Sequence, residues 1–276
     1  MRRCRSVPSS AVLIAMLVSV LAPVAAVAVD APSSPGLARI VSNKTLRVGM
    51  SGSQPPLNFK SKSGEMMGLE VDLARALAGL MGVKLEIVNV PFADLLSGLA
   101  QDRYDIVLSG MTMTPERSMR AAFVGPYFLS GISILTRSST LAQIEKADDL
   151  DRPDLKLAVL DGSTSEQFAH NALPKAKLVA TRDYDEGVKL LLANKVNAFM
   201  ADREVVMLTA FLHPKEGLAT LREPLTVEPI AIAAPAGDPL LHTYLDNALG
   251  ALESSGVLST IRSRWLERSD WVQQLP

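Results

Sequence analysis

Short apolar runs alternate with amphipathic stretches through most of the chain. The clearest helix pattern covers residues 70–80, where apolar side chains recur every three or four positions and Gly82 follows as a C-cap. Short apolar runs between such stretches are typical of β-strands. We predict strands at 46–50, 85–88, 105–108, 133–137, 156–160, 177–179 and 197–201, and further helices at 92–100, 239–253 and 257–266. Because strands that alternate with helices form largely parallel sheets covered on both faces, the pattern predicts an α/β fold.

The first 28 residues follow a different pattern. Arg2, Arg3 and Arg5 precede an apolar run over 11–21, and a small-residue ending places Ala26 and Ala28 in A-x-A spacing. This layout predicts a secretory signal peptide over 1–28, followed by a Pro/Ser-rich flexible leader over 29–36. The alternative is a membrane anchor, since the apolar stretch is almost long enough to span a bilayer. Pro23 and the Ala-rich ending favour cleavage.

Composition limits what the remaining chain does. The 276 residues are 48% hydrophobic and 21% charged, which is ordinary for a globular protein, and the net charge is −1. Without basic runs, the chain lacks the electrostatic signature of nucleic-acid binding. Its single cysteine, Cys4, precedes the apolar run of the signal and therefore predicts neither a lipid anchor nor a disulfide. With three scattered histidines and no phosphate-loop motif, we expect no cofactor and no metal.

Arg117 is the most informative candidate for chemistry. Thr114-Pro115-Glu116 is a strong helix start, so Arg117 lies in the first turn, where a cation opposes the helix dipole. An anionic ligand beside it would reverse that cost, because a guanidinium and free backbone N–H groups together suit a carboxylate. The alternative is an arginine that points to solvent, or that pairs with Glu116 or with an acid of a neighbouring lobe.

Other candidates follow the ends of predicted strands. Asp202 ends an apolar strand, where it could receive an ammonium or act as the N-cap of the next helix. Gly110 and Thr112 lie in a turn that would let a small ligand approach the backbone. Phe92 is an ordinary core aromatic by position. Capping-box spacing at Ser163-x-x-Glu166 predicts a helix N-terminus directly after a strand, and ligands of open α/β sheets bind there.

Residues 46–135 resemble the first lobe of periplasmic solute-binding proteins that serve polar amino acid ABC transporters. The most specific segments are Pro55-Pro56, Gly68 to Leu73, and Asp105 to Arg117, and the resemblance extends over about 45–268. It implies a two-lobed fold with a mixed sheet in each lobe, joined by two hinge strands. The chain would cross near 128–132 and return near 229–233. The large lobe would comprise 37–131 plus 229–276, and the small lobe 132–228.

The resemblance also implies roles for individual residues at the cleft. Arg117, Thr112 and Thr164 would hold the α-carboxylate of an amino acid, while the Gly110 carbonyl and Asp202 would accept from its ammonium. Phe92 would stack against the body of the ligand. The expected partners are this amino acid and an inner-membrane ABC permease, and the protein is expected to be a periplasmic monomer and not an enzyme.

The loop at 51–57 departs from the family pattern. Ser51 stands where members that bind basic side chains often carry an acid, and Gln54 stands where they carry an aromatic. Since a buried cation without a partner is costly, we expect a ligand with a neutral side chain, lined by Ser51, Gln54 and Met111. Two alternatives remain: an exported enzyme resembling cyclohexadienyl dehydratases, with Glu166 or Asp202 as its acid, and a sensing module of a receptor.

Overall fold

The computed structural model describes residues 34–276. The predicted signal peptide and residues 29–33 of the predicted leader lie outside the described residues. The last two leader positions, Pro35 and Gly36, instead begin the first helix, Pro35–Asn43. Proline suits the first helical position, and Asp238 holds this start: it accepts from Ser34 Oγ at 2.6 Å and from the Gly36 amide at 2.8 Å. The expectation of a flexible leader up to residue 36 is therefore wrong at its end.

Two five-stranded mixed sheets form the framework. In each sheet three strands run parallel and two further strands are antiparallel to their neighbours. The first sheet has the order Lys84–Asn89, Thr45–Met50, Ile106–Val107, Glu228–Ala234, Ala122–Ser130. The second sheet has the order Lys177–Thr181, Lys156–Leu160, Ala198–Asp202, Ile132–Thr136, Ala219–Thr220. A small antiparallel sheet of Ser53–Gln54, Asn58–Lys60 and Met66–Met67 follows the first strand.

Helices connect the strands largely where the sequence pattern places them. Beyond the first helix, the α-helices are Leu69–Met81, Leu95–Ala100, Pro115–Ser118, Ser139–Ala142, Thr164–Ala172, Tyr184–Leu192, Arg203–Leu212, Pro239–Ser254 and Val257–Arg262. Short 3₁₀ turns cover Phe92–Asp94, Ala147–Leu150 and Asp270–Gln274, and a π-helical turn covers Ser263–Glu267. Gly82 ends the second helix with φ of 66°, as the sequence predicts.

The chain passes between the sheets twice. It leaves the first sheet after Ser130 and returns to it at Glu228, whose strand pairs with Ala122–Ser130. The return passage therefore precedes Glu228, and residues 229–233, near which the return was expected, are part of a strand of the first sheet. The predicted crossing points stay predictions. We call residues 34–130 with 228–276 the first lobe and 132–227 the second lobe. The predicted boundaries between the large and the small lobe, at 131/132 and 228/229, stay a prediction, since sheet membership alone does not define a rigid unit.

Apolar side chains form one core around each sheet and a third cluster between them. The core of the first lobe includes Trp265 and Trp271 from the C-terminal segment, both packed on Phe59. The third cluster joins Phe92 and Met111 of the first lobe with Tyr184 and Phe199 of the second, among other residues. This shared cluster brings the lobes into direct contact. Within the described residues, no helix is both long and apolar enough to cross a membrane.

Candidate ligand-binding site

Arg117 is half-buried between the lobes. Its Nη1 donates to the Thr112 carbonyl at 2.9 Å, and its Nη2 donates to the Gly162 carbonyl of the second lobe at 3.0 Å. The guanidinium carbon lies 5.7 Å from the centre of the Phe92 ring. Burial lowers the pKa of Arg117, and the nearby carboxylates of Glu228 and Asp202 oppose that shift. The guanidinium therefore faces the inter-lobe space, and pairing with Glu116, the alternative, is not formed.

Asp202 is buried at the end of its strand in the second lobe, with 6% of its surface exposed. One carboxylate oxygen, Oδ2, accepts from the Tyr184 hydroxyl at 2.6 Å and from Gln54 Nε2 of the first lobe at 2.8 Å. Asp202 occupies the N-cap position of the following helix, but its side chain makes no capping hydrogen bond, so the capping alternative is wrong. Burial, with a contribution from nearby Glu228, raises the pKa of Asp202 to about 6, although the hydrogen bond from Tyr184 opposes that shift.

Gly110 is fixed by a buried carboxylate that the sequence analysis did not identify. Gly110 has φ of 59°, and its amide donates to Glu70 Oε1 at 2.6 Å. Glu70 also accepts from the Tyr127 hydroxyl and, at 2.5 Å, from Asn58 Nδ2. Burial raises the pKa of Glu70 to about 7 despite these donors. No local signal distinguishes Glu70 in the sequence, since an acid in the first turn of a helix is already explained by the helix dipole.

Replacing Glu70 with glutamine should flatten part of the pH dependence of stability. The folded pKa of about 7 lies above the ordinary value of 4.5, so the folded protein holds this proton more tightly than the unfolded chain. The stabilisation is then fully present below about pH 4.5 and is lost as the pH rises through about 7. We expect Glu70→Gln to show a smaller fall in the free energy of unfolding between pH 5 and 8, measured by urea titration.

The matched control is Glu65→Gln, which removes an exposed carboxylate that pairs with Arg75 and lies five residues before Glu70 in the sequence. This variant should keep the wild-type slope of the free energy of unfolding against pH. Equal slopes for the wild type and Glu70→Gln would contradict the shifted ionisation of Glu70.

Thr112 and Thr164 meet across the lobes. Their hydroxyl oxygens lie 3.4 Å apart, with Thr112 buried in the first lobe and Thr164 at the first position of its helix in the second. The predicted helix start is confirmed: Ser163 Oγ accepts from the Glu166 amide at 3.1 Å, and Glu166 Oε2 accepts from the Gly162 amide at 2.8 Å. The N-terminus of this helix therefore lies beside Thr112 and Arg117, which suits a bound carboxylate.

Two cavities open on either side of the contact between the lobes. One, of about 440 Å³, is lined by Arg117, Met111 and Gly162 among others, and a second, of about 500 Å³, is lined by Ser51 and other residues. Phe92, 5% exposed, borders both. The other predicted site residues line neither cavity: Asp202, Gly110, Gln54, Thr112 and Thr164. Of these, Asp202, Gln54 and Thr112 are buried.

The three residues expected to line the side chain of a ligand occupy different environments. Ser51 Oγ lies within hydrogen-bonding distance of Asn58 and Ser109, so it is held inside the first lobe. Met111 is 1% exposed and belongs to the cluster that both lobes share. Gln54 is fully buried and reaches the second lobe. The structure thus brings Gln54 to the predicted Asp202, a pairing that the sequence analysis missed.

Two further carboxylates lie where the lobes join: Glu228 is buried and Glu204 is half-buried. Glu228 accepts from Thr226 at 3.0 Å through Oε1, while its Oε2 is buried without a partner among the described residues. Glu204 accepts from Ser130, and burial raises its pKa to about 7. No group of three or more potential metal ligands occurs among residues 34–276.

This arrangement is that of a two-lobed binding protein. Each lobe has a mixed β-sheet flanked by helices, two chain segments connect the lobes, and Arg117 and Asp202 bring opposite charges from opposite lobes. A family model, "Bacterial extracellular solute-binding proteins, family 3", matches residues 46–268. The chain belongs to this family. The predicted fold class is confirmed.

Three similar proteins include one enzyme and two binding proteins. The cyclohexadienyl dehydratase of Pseudomonas aeruginosa is 30% identical over 84% of this chain and 86% of its own length. The ABC transporter arginine-binding protein 1 of Escherichia coli is 26% identical over 80% and 90%, respectively. An ancestral amino acid-binding protein, a precursor of cyclohexadienyl dehydratase, is 34% identical in sequence. Its crystal structure matches 85% of this chain and 100% of its own chain, with a TM-score of 0.77.

Proposed function

We propose that this protein is an exported, periplasmic binding protein that captures an amino acid between its lobes and delivers it to an ABC permease of the inner membrane. The observation that carries this proposal is the placement of Arg117 and Asp202. They come from different lobes, have opposite charges, and each makes a hydrogen bond to the other lobe: Arg117 to the Gly162 carbonyl, and Asp202 to Gln54. An α-amino acid is a zwitterion whose two charged ends such a pair would bind together.

The neighbouring residues divide between these two ends. Arg117, Thr112 and Thr164 would hold the carboxylate, since a guanidinium, two hydroxyls and a helix N-terminus converge there. Asp202 and the Gly110 carbonyl would accept from the ammonium, and Phe92 would contact the body of the ligand. Ser51 offers no charge to a cationic side chain, which supports a ligand with a neutral side chain.

Closure follows from contacts that need both lobes. Arg117 to Gly162, Gln54 to Asp202, and Gln167 to Glu116 at 2.5 Å each join a residue of one lobe to a residue of the other. A ligand that touches both lobes favours the closed form by its differential affinity for that form. The closed shape is then the form that a permease distinguishes from the open one.

A thermal-shift screen over the twenty amino acids tests the proposal. An amino acid supplied at 100 times its dissociation constant should stabilise the protein by roughly 2.7 kcal/mol, which raises the melting temperature by several degrees. We expect the largest shifts with neutral side chains. Stabilisation by lysine or arginine alone would contradict the neutral side chain, and no shift with any amino acid would contradict amino acid capture.

A second candidate function is a dehydratase activity. It is favoured by the similarity to cyclohexadienyl dehydratase and by Asp202, whose raised pKa of about 6 suits a general acid near neutral pH. Such an acid would protonate a leaving hydroxyl, which departs as water while a carboxylate departs as carbon dioxide and the ring becomes aromatic. Glu166, the other expected acid, already accepts from the Gly162 amide at its helix start.

Incubation with prephenate or arogenate separates the two functions. Ultraviolet absorbance of an aromatic product, removed by Asp202→Asn, would establish the enzyme. Absence of product from a protein that binds an amino acid would leave capture as the function.

A further inference from the structure

Gln54 joins the two lobes through its side chain. It lies on a strand of the small sheet in the first lobe, is fully buried, and places its Nε2 2.8 Å from Asp202 Oδ2 and 3.2 Å from the Tyr184 hydroxyl. An amide nitrogen carries two hydrogens, so one donor group can serve both acceptors. The nitrogen end of the side chain is therefore committed to the second lobe.

The oxygen end of the same amide is not satisfied. Gln54 Oε1 is buried and has no hydrogen-bond partner among the residues that the structure describes. Leaving a buried acceptor unpaired is destabilising, and buried side-chain oxygens are therefore normally paired. This unpaired acceptor lies on the same side chain that contacts the Asp202 carboxylate, which makes it a candidate to receive a donor from a bound ligand.

Gly110 provides the room for this amide. A Cβ atom at position 110 would collide with both the nitrogen and the oxygen of the Gln54 carboxamide. The carboxamide therefore lies directly against the Gly110 backbone. Three oxygen acceptors belong to this one region: the Asp202 carboxylate, the Gly110 carbonyl and Gln54 Oε1.

We propose that Gln54 determines specificity at the amino end of the ligand, where its amide nitrogen holds Asp202 and its amide oxygen accepts an N–H of the ligand's ammonium. This inference rests on the proposed amino acid capture. It assigns Gln54 to the α-amino group of the ligand, whereas the sequence analysis expected Gln54 to line the ligand's side chain. An ammonium has three N–H donors, which match the three acceptors. A 2-hydroxy acid of the same skeleton has a single donor and leaves two acceptors unpaired, so the site discriminates against it.

Isothermal titration with matched ligand pairs tests this role. L-Glutamine, L-methionine and L-arginine are each titrated beside the 2-hydroxy acid of the same skeleton, into the wild type and into Gln54→Met. Methionine has a similar length and no N–H or carbonyl, so it fills the space without accepting. We expect the preference for the amino acid over its hydroxy acid to fall about tenfold or more, because a hydrogen bond to a charged group is lost.

Two further variants make the result decisive. Gln54→Glu keeps acceptor oxygens, loses the donor to Asp202 and adds a second carboxylate beside it. Because an ammonium compensates that added negative charge, this variant should retain or increase the preference for the amino acid. Gln167→Met removes a second glutamine contact between the lobes, to Glu116, and should change the affinities for the amino acid and the hydroxy acid alike, which leaves the preference unchanged. Urea unfolding of each variant confirms that it is folded.

The possible outcomes separate this inference from the function on which it rests. If the wild type binds none of the three amino acids, amino acid capture fails and the role of Gln54 fails with it. If the wild type binds but Gln54→Met weakens the amino acid and the hydroxy acid equally, Gln54 only joins the lobes and the inference is wrong. A reduced preference in Gln54→Met that is retained in Gln54→Glu supports it.

Discussion

Replacing Arg117 with methionine should weaken amino acid binding by roughly a hundredfold or more. Methionine keeps much of the aliphatic stem but removes the guanidinium donors from the carboxylate end of the site. Truncating one partner of a buried, hydrogen-bonded ion pair costs about 2–5 kcal/mol, much of it from the charge that is left unpaired. Here that charge would be the ligand carboxylate, held only by Thr112, Thr164 and a helix N-terminus.

Arg120→Met is the matched control for this change. Arg120 lies three residues further along, beyond the end of the helix at Ser118, lines the same cavity of about 440 Å³ and is exposed. Titration calorimetry with the amino acid that gives the largest thermal shift should give affinities within a few-fold of the wild type for Arg120→Met. Unchanged binding by Arg117→Met would exclude Arg117 from the site, whereas equal losses in both variants would indicate a general loss of positive charge.

The sequence was informative about the site where a residue's local position was unusual. Arg117 was recognisable because a cation in a first helical turn needs a compensating anion, and Asp202 because a carboxylate ended an apolar strand. The structure brings both between the lobes. Their roles toward a ligand stay predictions, because proximity does not establish what they bind.

Pairings across long sequence separations could not be predicted. Gln54 and Asp202 are 148 residues apart, and Glu70 and Gly110 are 40 apart, so nothing in the local pattern of either residue indicates the other. Both pairings depend on how the lobes and the sheet edges assemble. Glu70 was also concealed by its position, since an acid in a first helical turn is already explained by the helix dipole.

The fold was predictable to the extent that periodicity determines it. Every predicted strand is present, and the strand at 156–160 has the predicted bounds. The helix predicted over 257–266 instead changes to a π-helical turn at Ser263–Glu267, where Trp265 packs into the core and its Nε1 donates to Asp72 at 2.8 Å. Long-range packing of one large side chain thus altered a segment whose local pattern favours a regular helix.

Asp202→Asn should remove most of the pH dependence of binding and weaken binding at neutral pH by about tenfold or more. A neutral amide keeps the shape of Asp202 but loses the charge that pairs with an ammonium, an interaction worth about 1.5–3 kcal/mol. The pKa of Asp202 is about 6. The affinity of the wild type should therefore be constant above about pH 7 and fall progressively toward pH 5, where Asp202 carries a proton. Binding near pH 6 should accordingly release protons.

Titration calorimetry from pH 5 to 8, in two buffers with different ionisation enthalpies, measures both the affinity and the released protons. Asp161→Asn removes an exposed carboxylate that lines the cavity of about 500 Å³ and should keep the wild-type profile. Glu70 and Glu204 titrate in the same range and remain in every variant, so the difference between the profiles isolates Asp202. A wild-type affinity that stays constant down to pH 5, or an Asp202→Asn variant that binds as tightly as the wild type, would mean that the ammonium end of the ligand lies elsewhere.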